Sequence, residues 1–87
     1  MHIKQGFVMR EVAGQHVAIA TGEASKTFHG MVKLNATGAF IWQGIEKGQD
    51  APAIARGLAD AYEVDLAKAA ADVDVFIARM SEQGFLE

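Results

Sequence analysis

Apolar and polar residues first alternate in short runs and later recur every three or four positions. Phe7 to Val12 alternates, with Phe7 and Met9 on one face and Val8 and Val12 on the other. A period of two is that of a half-buried strand. Ala13, Gly14 and Gln15 then form a short glycine-based hairpin connection. His16 to Thr21 reads as a second strand, with Val17 and Ile19 sharing a face. Gly22 to Thr27 is polar and starts with glycine, which predicts a loop. Phe28 to Leu34 returns as a third strand. Strands joined by short links predict an antiparallel meander, whose apolar face must be covered to be stable.

The rest of the chain carries the helical period and supplies the cover. Asn35 is a good N-cap for a helix from Ala36 to about Glu46, with Gly48 beyond its end. Asp50 is placed to cap a second helix, whose first turn tolerates Pro52. Ile54, Leu58, Ala61 and Tyr62 are spaced as one face of it. Asp65 is placed to cap a third helix to about Gln83, with Gly84 as the stop and Phe85 and Leu86 folding back. Its core stripe is Leu66, Ala69, Ala70, Val73, Phe76, Ile77 and Met80. Strands first and helices after predict an α+β domain of winged-helix type: a three-stranded antiparallel sheet followed by a three-helix cluster. With no repeats or linker, residues 1–87 read as a single domain.

The outer side of the third helix breaks the pattern. Lys68, Asp72, Arg79 and Glu82 are polar as expected, but Val75 lies among them beside the small residues Ala67, Ala71 and Ala78. One reading is alanine as a plain helix former with an incidental surface valine. The other is a shallow groove floored by small side chains. The third strand bears on that choice. In a meander the outer strands each keep a free edge. The stretch from Gly30 to Asn35 has no proline and one charge, Lys33, so it is weakly defended. An extended peptide can add to such an edge, unless the protein's own loops cover it.

Composition narrows the function. The 87 residues are 51% hydrophobic, which supports one small core and not disorder. The absence of cysteine removes disulfides, thiolate zinc sites and iron–sulfur clusters, and fits a reducing cytoplasm. A net charge of −3 opposes duplex nucleic-acid binding. The first twelve residues lack a signal-peptide core, and no apolar run reaches membrane-span length. His2, His16 and His29 are scattered, Ser25 and Ser81 have no evident base, and no glycine-rich phosphate cradle is present. Asp72 and Asp74 diverge on their helix, whereas Lys68 and Asp72 are spaced for a surface ion pair. Neither a cofactor nor a metal is expected.

Three motifs then resemble a known family. The stretch LNATGAFIW (Leu34 to Trp42) is similar to the L-N-x-T-G-x-x-I-W signature of PqqD-like proteins. IARGLADAYEVD (Ile54 to Asp65) resembles that family's I-x-x-x-L-x-x-x-Y-x-V-D. DVDVFIARMSEQGFLE (Asp72 to Glu87) resembles its D-V-x-x-F-L-x-x-L-x-x-x-G-L-L tail, with Met80 where leucine is common. The motifs cover about the last two-thirds of the chain.

The resemblance implies a recognition element for ribosomally made, post-translationally modified peptides. Such a domain does no chemistry. It binds the leader of a precursor peptide as an added strand beside the third strand, against the third helix. It presents that precursor to a modifying enzyme, such as a radical SAM protein or a lasso-type leader protease. Leu34, Asn35, Gly38, Ile41, Trp42, Leu58, Tyr62 and Phe76 then read as scaffold, with Phe40, Ile41, Trp42 and Ile45 locking the first helix to the core. Geometry places the peptide contacts at Met31, Val32, Lys33 and Leu34 on the strand. On the helix it places them at Ala71, Asp74, Val75, Ala78 and Arg79. The alternatives are a winged-helix DNA-binding regulator and an assembly subunit of an unrelated enzyme. The exposed edge and neighbouring loop also permit a homodimer by strand exchange.

Overall fold

The computed structural model describes residues 1–22, 26 and 31–87. Three strands, β1 (Phe7–Val12), β2 (Gln15–Ala20) and β3 (Met31–Leu34), precede three helices, α1 (Ala36–Glu46), α2 (Ala51–Tyr62) and α3 (Leu66–Glu82). The expected α+β order is therefore the observed one. The start of the expected third strand, Phe28 to Gly30, and most of the expected loop fall outside the described residues.

The sheet is antiparallel in the order β1-β2-β3. The β1–β2 hairpin is tighter than a three-residue link: Val12 pairs with Gln15. Ala13 and Gly14 make the turn at φ 52° and 78°. Two left-handed residues match the twist of a hairpin, and only glycine takes that conformation without strain.

The register decides which face meets the helices. Phe7 lies across from Ala20, Met9 from Ala18, Ala18 from Val32 and His16 from Leu34. Phe7, Ala18 and Leu34 join Trp42, Met80 and Phe85 in one buried cluster, with Met9, Ala20 and Val32 at its margin. β2 thus turns alanines, not Val17 and Ile19, toward the helices. Small residues there leave room for the aromatics: Phe85 meets Phe7 at 4.6 Å and Trp42 at 5.7 Å between ring centroids, both edge to face. Val17 lies on the outer face, yet is buried, flanked in register by Arg10 and Lys33.

A second cluster joins the helices through Ile41, Ile45, Ile54, Ala55, Leu58, Ala69 and Val73. Two caps form as expected. Asn35 Oδ1 accepts the Gly38 N–H at 2.8 Å, and Asp50 Oδ1 accepts the Ala53 N–H at 2.9 Å. Asp65 precedes α3 but makes no side-chain cap bond. Three residues of the expected helical faces are not core. Ala61, Tyr62 and Leu66 are exposed, and Ala55 takes the inward place beside Ile54 and Leu58. Phe40 reaches across to α2: its ring meets Tyr62 edge to face at 6.1 Å and packs over Gly57.

The tail folds back as expected. Phe85 is fully buried, and Ile3 bridges Leu86. Around that bridge the His2 N–H donates to Glu87 O at 3.0 Å, the Glu87 N–H to His2 O at 2.9 Å and the Lys4 N–H to Phe85 O at 2.7 Å.

Candidate peptide-binding groove

The site begins where β3 ends. Asn35 caps α1 and turns the chain directly from sheet to helix. Its Oδ1 also accepts the Thr37 hydroxyl at 3.1 Å. α1 then presents Gly38 to α3. A Cβ there would stand 3.0 Å from Asn35 Oδ1 and 3.1 Å from Phe76 Cε2. Only a hydrogen lets the Phe76 ring settle against the first turn of α1. This close approach fixes α3 beside β3 but leaves a gap between them.

That gap is an open groove of about 920 Å³. One wall is the strand, through Val32, Lys33 and Leu34. The other is α3, through Asp72, Val75, Phe76, Arg79 and Met80. The first turn of α1 and the end of the β1–β2 hairpin, including His16, close the remaining sides. The α3 residues recur at steps of three and one, so they are one helical stripe, turned a quarter from the core stripe. Among the described residues no strand lies on the far side of β3, whose outer N–H and C=O groups border the groove. Val75 is 61% exposed on the opposite wall.

The structure brings together five of the nine expected contact residues: Val32, Lys33, Leu34, Val75 and Arg79. Leu34 is itself buried and serves as floor more than rim. Met31 is exposed on β3, and Ala71 and Ala78 on α3, but none of the three lines the groove. Asp74 lies on the other side of α3, in a smaller hollow of about 280 Å³ shared with Leu66, Ala70 and Arg56. Sequence reasoning passed over Phe76, Met80 and Asp72 as groove residues, since two belong to the core stripe and one to the polar side. The signal was present in their spacing from Val75 and Arg79.

The charges of the groove are unequal. The Asp72 carboxylate is engaged by Lys68, Nζ to Oδ2 at 3.3 Å, the ion pair expected from their spacing. Arg79 sits in the last turn of α3, where a cation is favoured by the helix dipole. Among the described residues neither Lys33 nor Arg79 has an ion-pair partner. Also among them, no group of three or more His, Asp or Glu side chains is arranged to hold a metal ion, and no helix is long and apolar enough to cross a membrane. The groove therefore offers an open backbone edge, an apolar wall and two available cations, a set suited to binding an extended chain.

Comparison with known proteins places the fold and the family. TbiB1 in complex with the TbiA(beta) leader peptide superposes with a TM-score of 0.82 at 22% identity, over 100% of this chain and 95% of that one. The lasso peptide synthetase B1 complexed with the leader peptide gives 0.81 at 20% identity, over 99% and 95%. At such identities the likeness establishes a shared fold. No curated protein sequence matches the chain. The profile of one family, described as Coenzyme PQQ synthesis protein D (PqqD), matches residues 8–86. Since that match spans nearly the whole chain, the protein belongs to the PqqD family.

Proposed function

We propose that this protein is a non-catalytic carrier that binds the leader of a ribosomally made precursor peptide and presents it to a modifying enzyme. The leader adds as a fourth strand to the free edge of β3, and its inward side chains lie against α3. The enzyme is of the radical SAM or leader-protease kind, and the exchange takes place in the cytoplasm. One observation carries this reading: the edge of the sheet that borders the groove has no backbone partner among the described residues. Family membership and two structural neighbours described in complex with leader peptides support it.

Strand addition suits the task. Backbone hydrogen bonds give affinity independent of side chains, while the wall selects alternate residues. A small domain need move little to accept such a guest. A DNA-binding role is disfavoured by charge: α3 and its preceding residue carry Asp65, Asp72, Asp74 and Glu82 against Lys68 and Arg79.

The test is an NMR titration with a cognate precursor peptide, sought among the short reading frames that flank the gene. Binding in the micromolar range or tighter is expected, with shifts concentrated in the amides of Met31 to Asn35 and in α3 from Asp72 to Arg79. A cognate precursor that leaves both regions unmoved overturns the carrier role.

A further inference from the structure

We infer that Lys33 and Arg79 make this groove selective for an acidic leader segment, in which an acidic residue stands between two apolar ones. The inference rests on the carrier reading and adds the chemistry of the guest.

Side-chain direction supplies the pattern. Val32 and Leu34 belong to the helix-facing side of β3, packed at or within the aromatic cluster. Side chains alternate along a strand, so Lys33 and Met31 occupy the outer face. A guest strand paired to β3 obeys the same alternation. Its residue opposite Lys33 shares the outer face with the Lys33 ammonium, within cross-strand reach. The residues on either side of it turn inward over Val75 and Phe76, which favours apolar side chains there.

Charge supplies the sign. The protein as a whole is acidic, at −3, so its average field repels an acidic peptide. The groove differs locally. Lys68 offsets Asp72 from outside the lining, and Lys33 and Arg79 have no ion-pair partner among the described residues. Arg79 projects from the wall that the inward side of the guest passes, so a second acid near the end of the segment is matched there. The local excess of positive charge in an acidic molecule sets both the register and the preference of the guest.

The probe is a set of labelled peptides identical except at one triplet: Leu-Glu-Leu, Leu-Gln-Leu or Leu-Lys-Leu. Binding is read by fluorescence anisotropy at low salt. With the native protein, the Glu peptide should bind about threefold tighter than the Gln peptide and about tenfold tighter than the Lys peptide, the range for partly exposed charge pairs. The Lys33→Glu variant should reverse the order of the Glu and Lys peptides, and Lys33→Gln should level it. Neither Lys33 nor Arg79 has an ion-pair partner among the described residues, so the variants should keep the native circular dichroism. Arg79→Gln should weaken all three peptides less than it weakens one with a second Glu after the triplet. If the three peptides bind alike and Lys33→Glu changes nothing, the charge selection is overturned, whereas shifts in β3 amides would leave strand addition standing. If no member of the set binds, the triplet rule is overturned, and the carrier role is judged separately by the cognate precursor.

Discussion

Two valines are exposed to nearly the same degree, Val12 at 54% and Val75 at 61%, yet they sit in different surroundings. Val12 ends β1 at the hairpin, beside the charged pair Arg10 and Glu11. Neither the groove nor the smaller hollow includes a β1 residue. Val75 faces β3 across the groove, on the side where no strand lies among the described residues. The same contrast separates the two margins of the sheet. β1 carries adjacent opposite charges, which discourage a further strand, whereas β3 offers four residues with one charge and an apolar wall opposite. Exposure alone says little about function, because scattered apolar surface is normal. What distinguishes Val75 is that backbone hydrogen-bonding groups and an apolar wall meet at the same place.

That contrast can be broken in three ways. The largest effect should come from behind the β1 margin. Phe85→Ala removes the ring that meets both Phe7 and Trp42 and should destabilise the fold by about 3–5 kcal/mol. Urea unfolding checks it. A loss below about 1 kcal/mol would mean that the aromatic cluster is not what fixes the sheet. An intermediate effect should separate the valines. Val75→Glu should weaken leader binding about tenfold, roughly 1.4 kcal/mol, while Val12→Glu leaves it unchanged. Both should hold unfolding stability within about 0.5 kcal/mol, as surface changes usually do. Equal losses of binding for the two variants, measured by calorimetry, would erase the distinction between the margins. The smallest effect should come from the junction of strand and helix. Asn35→Ala removes the acceptor of the Gly38 N–H and should lower stability by about 1 kcal/mol. Leader affinity should fall with it if the first turn of α1 helps to hold the groove open, and an unchanged affinity would assign the cap to stability alone.

Much of this architecture could be read before the structure. The caps at Asn35 and Asp50 and the glycines at 48 and 84 are local signals, and they mark helix ends within a residue or two. The outward placement of Val75 was legible because periodicity reports faces. Other features depend on what packs where. The alternation of β2 advertises Val17 and Ile19, but the bulk of Trp42 and Phe85 requires alanines on the helix side. Tyr62 looked like core by spacing, yet Phe40 engages it at the surface. Asp74 and Val75 are neighbours in sequence, and the one-residue step of about 100° around a helix sends them to different hollows. A groove is a relation between elements, so only the residues whose spacing matches Val75 could have been assigned to it in advance.

The backbone bridge between residues 2–4 and 85–87 has a practical corollary. Head and tail of the described fold leave the molecule at one point, and that point contributes nothing to the groove lining. A cargo or an enzyme tethered at either terminus would hang from the same knot. Splicing the two ends with a short loop and opening new ones elsewhere should therefore yield a permuted protein that still takes up its guest.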